Sequence, residues 1–511
     1  MKSFEQSQGS RFAEIEEIFE VAAKVDVSSS QTRAGGPVIY SDGHTAHVLN
    51  HDFHSIAFGA TGSKKTRLYV APLLAMLAKH GESMIVNDPK GELYKRFKPY
   101  LEKLGYPIHV LDFRNPTHGS RWNPFSIPCD LFTAGDEEKS DIYIRDIADC
   151  VYSELCQTTK DSFWPNNAKD YFTGLAQMVR NESQGDQLTM EAIRFANTVG
   201  GQMTKGGSFL KMYLKNLDPL STAFMNLNET VHTADNTRKG IVSVFSQPMN
   251  LYGQESLRDM MSESDFSLAD IGRQKTAVFI ISPTERSVFN PIISAFVKQS
   301  YSALIDLVAS QQADGMLPVR VNYVLDEFSN LPEIQDINNM ITMARGANIR
   351  FNLVVQSIDQ LFRSYSPEGA RNIINNCEAW FVLRSKDTHL HRIVSEMCGT
   401  RFSEYSHHES PLVSSRTIQK LDKARGEVLL MISGLDPYIT TLPDIDDYPF
   451  GLPKADQWLP PAREKKARKV FDIRKVVKQQ LKGVEKQDRQ DIEKWLKEQR
   501  ERMAEERKRK S

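Results

Sequence analysis

A short glycine-containing loop in the stretch SIAFGATGSKKTRLYV, residues 55–70, has the residue types that bind phosphate. In such a loop the glycines let backbone N–H groups approach phosphate oxygens, a lysine contacts the β- and γ-phosphates, and a Ser or Thr hydroxyl binds Mg²⁺. Lys65 and Thr66 follow the loop at the required spacing. The sequence therefore predicts a nucleotide phosphate site formed by Gly59, Ala60, Thr61, Gly62, Ser63, Lys64, Lys65 and Thr66.

One position departs from the usual pattern G-x-x-x-x-G-K-[ST], because Lys64 stands where the second glycine is expected. A lysine adopts the backbone angles of that glycine only with a strain of about 1–3 kcal/mol. Its long cationic side chain either swings out of the loop or adds a second contact to phosphate. The alternative to a phosphate site, an ordinary glycine turn, is less favoured because an apolar strand precedes the loop and a helical pattern follows it. Nucleotide binding is expected, and hydrolysis is an open question.

Two acidic residues follow another apolar run, in the stretch VNYVLDEFSNLP. A phosphate loop needs a partner strand that ends in an acid to hold Mg²⁺, and often a second carboxylate that aligns the attacking water. Asp326 fits the metal role and Glu327 the role of catalytic base, although Glu327 at a strand end is also compatible with capping the next helix. Gln356 ends the next strand, where its amide is expected to sense the γ-phosphate or the water.

Predicted strands and helices alternate along the chain around these residues. Seven short apolar runs read as strands, and most are separated by amphipathic stretches of helical length: SIAF, SMIVND, YPIHVLDF, TAVFIIS, VNYVLDEF, FNLVVQS and AWFVLRS. This alternation predicts an α/β fold with a mostly parallel sheet flanked by helices. Strand patterns disappear over residues 131–264, where helical spacing of apolar residues predicts an inserted all-alpha domain. The predicted organisation is an N-terminal segment 1–35, a nucleotide-binding domain 36–130 and 265–450, and a tail 451–511.

Composition narrows the class of protein. The chain has 511 residues, 40% of them hydrophobic, and its formal net charge of -1 hides a basic tail in which residues 463–511 hold 19 Lys or Arg and 10 Asp or Glu. Five dispersed cysteines indicate neither a disulfide framework nor a zinc site. No run reaches the roughly 20 apolar residues of a membrane span. The tail is expected to be a solvated helix or disorder, or alternatively a contact for nucleic acid, anionic membrane or a partner helix.

Several motifs together resemble one family, the type IV coupling proteins of bacterial conjugation and type IV secretion. The resemblance covers roughly residues 36–450 and rests on motifs that stand in the family's order: FGATGSKKT, VNDPKGELY, VLDF, RWNPF, VLDEFSNLP, RGANIRFNLVVQSIDQL and RSKDTHLHRIVSEMCGT. Members of this family are hexameric RecA-like ATPases that pump DNA. The resemblance implies a RecA-like P-loop NTPase domain, ATP and Mg²⁺ as ligands, and a homo-hexamer.

The resemblance also implies roles for single residues. Lys65 and Thr66 resemble the phosphate and magnesium contacts, Asp326 and Glu327 the second acidic motif, and Gln356 a glutamine sensor. Asp88 and Glu92 resemble the family's D-x-K-G-E element close to the nucleotide. Ring ATPases complete each site with an arginine from the neighbouring subunit. The candidates are Arg345, Arg350 and Arg384, although each is also compatible with a local surface pair.

The implied function is that of an ATP-driven motor which transfers single-stranded DNA, with its pilot protein, to a secretion channel. The expected partners are single-stranded DNA, relaxase and relaxosome proteins, and channel components at the inner membrane. The expected location is the cytoplasm, at the cytoplasmic face of the cell membrane, although family members usually begin with two transmembrane helices. Two alternatives remain: a nucleotide-binding adaptor with impaired hydrolysis that docks substrates, and a motor whose cargo is protein effectors or double-stranded DNA.

Overall fold

The structure is a computed structural model, and it describes residues 10–482 except 186, 284, 286, 311–314, 332, 404–407, 454–458, 465 and 467–469. The described chain divides into two compact units. The first unit holds residues 10–122 and 264–464, and the second holds 123–263 together with the described residues after 464. The predicted tail beyond residue 482 lies outside the described residues.

The first unit begins with a small antiparallel sheet that the sequence analysis did not predict. Its strands are β1 (Ala23–Asp26), β2 (Val38–Ser41) and β3 (Thr45–Val48), with β3 in the centre. A short helix, α1 (Ile15–Glu20), precedes it. These strands are only four residues long, so their alternation is too brief to stand out in the sequence.

A nine-stranded sheet forms the centre of the first unit. Its strands are β4 (His54–Phe58), β5 (Ser83–Asn87), β6 (Ile108–Asp112), β7 (Ala277–Ile281), β8 (Val321–Leu325), β9 (Ile349–Val355), β10 (Cys377–Val382), β11 (Glu427–Ile432) and β12 (Tyr438–Thr441). They lie in the order β12-β11-β10-β4-β9-β8-β5-β7-β6. The seven strands from β10 to β6 pair in parallel, and β11 and β12 extend the β10 edge in antiparallel pairing. The predicted mostly parallel α/β fold is therefore confirmed.

The strands in the middle of the sheet are buried on both faces, which explains their continuous apolar sequences. Every residue of β4, β5, β7, β8 and β9 is buried. The register aligns Leu325 at the end of β8 with Asn87 of β5 and with Leu353 of β9. The segments that follow β4, β5, β8 and β9 consequently leave the sheet at one edge, where ligands bind in open α/β sheets.

Helices of the first unit cover the sheet and connect its strands. The helix after the phosphate loop begins with a turn of π-helix, Thr66–Val70, and continues as α2 (Ala71–His80). Short 3₁₀ turns span Ser287–Phe289, Phe328–Asn330, Ala344–Ala347 and Ile445–Asp447. The other helices are α3 (Glu92–Lys103) and, after the second unit, Asp270–Arg273, Asn290–Ser310, Ile337–Met343, Ile358–Asn375, Thr388–Cys398 and Ser415–Lys420. A two-stranded hairpin pairs Thr400–Ser403 with His408–Pro411.

The helix Asn290–Ser310 is the one helix of the described chain that is long and apolar enough to span a membrane by length and composition. The sequence analysis found no such stretch. Of the 18-residue window that meets this criterion, 72% is buried inside the protein. Burial of this kind also characterises a core helix that packs on a sheet.

The second unit is mainly helical. Its helices are α4 (Ser126–Thr133), α5 (Glu137–Thr158), α6 (Phe163–Ser183), α7 (Met190–Gly200), α8 (Phe209–Leu214), α9 (Thr222–His232), α10 (Asp235–Met249), α11 (Glu255–Met260) and residues 473–482. A minimal hairpin pairs Met203–Thr204 with Gly207–Ser208, and a 3₁₀ turn spans Leu251–Gly253. The expected boundary at residue 131 falls inside α4, whereas the unit begins at Asn123. Ile473 and Val477 are buried, so the described residues after 464, which fall in the predicted tail, contribute to this unit.

Candidate nucleotide site

A cavity of about 300 Å³ lies where β4, β5, β8 and β9 end. Most of the residues predicted from the sequence line it: Thr61, Gly62, Ser63, Lys64, Lys65, Thr66, Asp88, Glu92, Asp326, Glu327 and Gln356. Gly59 and Ala60 form the start of the same loop but are not among its lining residues. Arg67, Pro89, Lys90 and Leu93 complete the lining. The structure thus brings together side chains from four strand ends.

The loop folds as tightly as its glycines suggest. A Cβ added to Gly59 would lie 2.5 Å from Ser63 Oγ, a distance at which atoms overlap. Gly62 has a φ of 75° and Lys64 a φ of 69°, so both occupy the left-handed region that favours glycine. The residue that departs from the usual pattern therefore does adopt the conformation of the glycine it replaces, with a strain of about 1–3 kcal/mol.

The side chain of Lys65 lies inside the loop. Its Nζ donates hydrogen bonds to the carbonyl oxygens of Gly59, at 2.5 Å, and of Ala60, at 3.2 Å. Burial lowers the pKa of Lys65, and the neighbouring carboxylates Asp326 and Glu327 oppose this effect. Lys65 also lines the cavity, so its ammonium group is within reach of an anion bound at the loop.

Thr66 and Asp326 form the predicted magnesium pair. Thr66 Oγ1 lies 3.2 Å from Asp326 Oδ2, and the other carboxylate oxygen accepts the Glu327 N–H at 2.9 Å. Asn87 donates to the Asp326 carbonyl oxygen at 2.7 Å, which fixes the end of β8 against β5. Burial raises the pKa of Asp326. A buried carboxylate next to a hydroxyl supplies the hard oxygen ligands that Mg²⁺ prefers.

The residues present fit a nucleotide phosphate with Mg²⁺. The Oγ of Ser63 is buried and has no hydrogen-bond partner within the described chain. The Arg67 and Leu68 N–H groups at the start of the following helix donate to the Lys64 carbonyl oxygen at 2.9 and 2.8 Å, and the helix dipole favours an anion at this end. An oxyanion at the loop would satisfy the Ser63 hydroxyl. Thr66 and Asp326 would hold the metal ion.

Glu327 and Gln356 lie on two sides of the cavity. Glu327 has a φ of 53°, a conformation that costs free energy for a non-glycine residue and is common at functional sites. Its Oε2 accepts a hydrogen bond from Asn330 Nδ2 at 3.2 Å. Gln356 Oε1 accepts one from Thr61 Oγ1, also at 3.2 Å, so the amide contacts the phosphate loop itself.

Asp88 follows β5 and is 3% exposed. Burial raises its pKa to about 7, and the negative charges of Asp326 and Glu92 act in the same direction. Its Oδ2 accepts the Tyr94 N–H at 2.8 Å, so the carboxyl group caps the start of α3. The aspartate is therefore fixed beside the cavity by the backbone of that helix.

The three candidate arginines occupy different places. Arg384 directly follows the carboxyl end of β10, is exposed, and its carbonyl oxygen accepts the Ala60 N–H at 3.2 Å. Arg345 lies just before β9, at the opposite edge of the sheet, where it is paired with Glu378 and its side chain is 36% exposed. Arg350 is 1% exposed and paired with Glu82, and a buried side chain of this kind does not reach a neighbouring subunit. None of the three arginines is among the residues that line the cavity.

The acidic turn beside the phosphate loop was not predicted from the sequence. Asp444 Oδ2 lies 3.4 Å from Lys64 Nζ and accepts a hydrogen bond from Arg67 Nε at 2.8 Å. Asp446 pairs with both Arg67 and Arg96. The partners are more than 340 residues apart in the chain, so no local spacing pointed to them.

A protein-family model and several curated proteins match this chain. The protein-family model described as "Type IV secretory system Conjugative DNA transfer" matches residues 13–430. The type IV secretion system-coupling protein VirD4 of Bartonella quintana is 23% identical over 378 residues, which cover 71% of this chain and 56% of that protein. Protein VirD4 of Rhizobium radiobacter is 27% identical over 153 residues, 30% of this chain and 22% of that protein. The chain therefore spans about half, or less, of the length of these curated relatives.

Solved structures of the plasmid coupling protein TrwB have the same fold. The TrwB complex with the ATP analogue ADPNP superposes with a TM-score of 0.60 at 16% identity, and covers 86% of this chain and 95% of that one. The TrwB complex with ADP and Mg²⁺ gives a TM-score of 0.59 at 14% identity, with 86% and 93% coverage. The RecA-like P-loop NTPase fold predicted from the sequence is thus confirmed. From the family match over most of its length, the chain belongs to the type IV secretory system family of conjugative DNA transfer proteins.

Proposed function

We propose that this chain is an ATP-hydrolysing coupling subunit that drives transfer of single-stranded DNA into a type IV secretion channel. One observation carries the proposal: the ends of three strands, β4, β8 and β9, bring Lys65, the Thr66–Asp326 pair, Glu327 and Gln356 to one cavity. Phosphoryl transfer needs positioning and electrostatic stabilisation more than covalent chemistry from the protein. The cavity supplies both.

Each side chain has a distinct part in the proposed reaction. Lys65 turns its ammonium group from the loop carbonyls to the β- and γ-phosphates, where it stabilises the charge that develops on them. Glu327 orients the attacking water and accepts its proton, and Gln356 senses the γ-phosphate through its contact with the loop. Bound Mg²⁺ supplies charge neutralisation at the phosphate oxygens.

We expect the active assembly to be a homo-hexamer in which a neighbouring subunit contributes an arginine to each site. Arg384 and Arg345 remain candidates because both side chains reach the surface. Arg384 has the additional support that its backbone contacts the phosphate loop. A cation from the neighbour would make hydrolysis depend on assembly.

The proposed cargo is single-stranded DNA with its pilot protein, delivered by relaxase and relaxosome proteins to channel components at the inner membrane. The family description, which names conjugative DNA transfer, supports this cargo. DNA contacts would be made to phosphates by Lys and Arg side chains, and binding would therefore weaken with salt. The proposed location is the cytoplasmic face of the membrane.

A second candidate function is a nucleotide-binding adaptor that docks substrates without hydrolysing ATP. The observation that favours it is the left-handed conformation of Lys64 at the glycine position. In this candidate the loop binds nucleotide but relaxes away from the strained left-handed conformation of Lys64, which aligns the γ-phosphate less well with Glu327. In that case the energy for transfer would come from another subunit of the system.

The two candidates are separated by steady-state ATP hydrolysis with Mg²⁺, measured with and without single-stranded DNA. The variants are the sequence as given, Lys64→Gly, and Lys65→Ala as the inactive control. The motor predicts turnover above the control for the given sequence. Turnover by Lys64→Gly alone supports the adaptor. No turnover by either protein, although both are folded and bind nucleotide, contradicts the motor.

A further inference from the structure

Lys64 is held outside the phosphate loop by a carboxylate. Its Nζ lies 3.4 Å from Asp444 Oδ2, and about one third of the Lys64 side chain is exposed, against 15% for Asp444. Lys65, the next residue, points the other way and bonds to the loop carbonyls. Of the two adjacent lysines, Lys64 therefore pairs with a carboxylate outside the loop, whereas Lys65 bonds to carbonyl oxygens of the loop itself.

The turn that carries Asp444 is fixed by contacts of its own. The Asp444 N–H donates to Asp447 Oδ2 at 3.2 Å, and the Asp446 N–H donates to Asp444 Oδ1 at 3.3 Å. Arg67, in the first turn of the helix after the loop, donates from Nε to Asp444 at 2.8 Å and also pairs with Asp446. Asp444 thus does not depend on Lys64 for its position.

The acidic turn neutralises two cations that would otherwise face a bound phosphate. Lys64 and Arg67 both line the cavity, and both pair with Asp444. Carboxylate and phosphate oxygens are alternative partners for the same cation, since each forms charge-assisted hydrogen bonds with it. While Asp444 holds the Lys64 ammonium, that cation contributes little to phosphate affinity.

We propose that Asp444 sets the nucleotide affinity of this site by holding Lys64 away from the phosphates. The inference rests on the proposed function, because it assumes that nucleotide binds at this loop. Asp444 acts through Lys64 and is a positioning residue. A lysine at the glycine position is tolerated in the loop because its side chain has a fixed partner outside.

A double-mutant cycle tests the inference. The dissociation constant of a fluorescent ATP analogue with Mg²⁺ is measured by titration for the original chain, Asp444→Asn, Lys64→Gly and the double variant. Asp444→Asn frees Lys64 for the phosphates, and the expected result is about 3- to 10-fold tighter binding, the size of one exposed or partly buried charge contact. Lys64→Gly and the double variant should bind equally, because Lys64 is gone and Arg67, the other cation paired with Asp444, keeps its ion pair with Asp446.

Salt dependence provides a readout that a purely structural role would not change. The tighter binding of Asp444→Asn should diminish as salt rises, because it comes from an added ionic contact. Asp444→Glu, which keeps the charge, should bind like the original chain. Asp446→Asn is the matched control: it removes contacts to Arg67 and Arg96 but none to Lys64, so it should give no Lys64-dependent gain.

The possible results separate this inference from the proposed function. Weaker or unchanged nucleotide binding by Asp444→Asn overturns the inference. It is also overturned if Asp444→Asn increases the nucleotide affinity of Lys64→Gly as much as that of the original chain. Thermal unfolding of each variant shows whether a variant that binds weakly is unfolded. If Asp444→Asn is unfolded, Asp444→Glu becomes the test. A dissociation constant for Asp444→Glu that differs from that of the original chain overturns the inference. If the original chain binds no better than Lys65→Ala, the proposed function fails and the inference fails with it.

Discussion

The side chains of Thr66 and Asp326 meet at 3.2 Å although 260 residues separate them in the chain. Thr66 opens the helix after the phosphate loop, and Asp326 follows the strand Val321–Leu325. The strand Ile349–Val355 lies between the strands that precede these two residues. Parallel pairing of the three strands therefore brings Thr66 and Asp326 together in one candidate metal site.

We expect Thr66→Ala to raise the Mg²⁺ concentration needed for half-maximal nucleotide binding or hydrolysis by roughly tenfold, because a hydroxyl ligand is lost. Thr66→Ser keeps the hydroxyl and should behave like the original chain. The measurement is a Mg²⁺ titration at saturating nucleotide. Equal Mg²⁺ requirements for the alanine and serine variants would exclude a metal role for this hydroxyl.

Replacing Glu327 by Gln should separate binding from turnover. The amide cannot accept the proton of the attacking water, so turnover is expected to fall by about 10²- to 10⁴-fold, while the dissociation constant for ATP with Mg²⁺ changes little. Asn330→Ala removes the hydrogen bond that Asn330 donates to Glu327 and should give an intermediate loss. Steady-state hydrolysis and nucleotide titration of both variants provide the check. Undiminished turnover by Glu327→Gln would assign the base to another group.

Gly59 lies so close to the Ser63 side chain that it has no room for a Cβ, and a change at Ser63 relieves part of this crowding. Gly59→Ala places a methyl group 2.5 Å from Ser63 Oγ, and the expected result is at least tenfold weaker nucleotide binding without global unfolding. Ser63→Ala removes that oxygen, and as a single variant it measures the affinity lost with the hydroxyl. Gly59→Ala should therefore weaken binding less in the Ser63→Ala background than in the original chain, although some loss remains because Leu383 Cβ would still lie 3.1 Å away. An equal loss in both backgrounds would show that the contact with Ser63 is not the cause.

The sequence placed Asp88, Asp326 and Gln356 at one edge of the sheet because each follows a long apolar strand. Parallel pairing of these strands brings the three residues to that edge. The antiparallel strands Glu427–Ile432 and Tyr438–Thr441 were not predicted individually. The acidic turn at Asp444 was missed for a different reason: its partners Lys64 and Arg67 lie on a remote segment, and only the folded chain brings the charges together.

His54 lies at the other end of the first phosphate-site strand and is fully buried. Its Nε2 contacts the Ile341 carbonyl oxygen at 2.8 Å, and its Nδ1 accepts the Phe351 N–H at 3.0 Å. The ring is therefore neutral with its proton on Nε2, since Nδ1 must accept a hydrogen bond. Burial lowers the pKa of His54 to about 4.

This lowered pKa predicts how stability changes with pH. Between the ordinary value of about 6.5 and the folded value of about 4, the unfolded chain binds a proton at His54 that the folded chain does not. Stability contributed by the neutral ring is therefore full above pH 6.5 and is lost as the pH falls towards 4. Urea unfolding at pH 7 and pH 5 measures the total loss, in which other groups also take part.

NMR isolates the contribution of this residue. Ring resonances assigned to His54 through their absence in His54→Asn should keep the shifts of neutral imidazole down to about pH 4.5, in folded protein. A titration midpoint near 6.5 would show that the ring is not held between the Ile341 carbonyl and the Phe351 amide. Because the ring joins the start of this strand to its neighbour, such a midpoint would also contradict the described packing at this edge of the sheet.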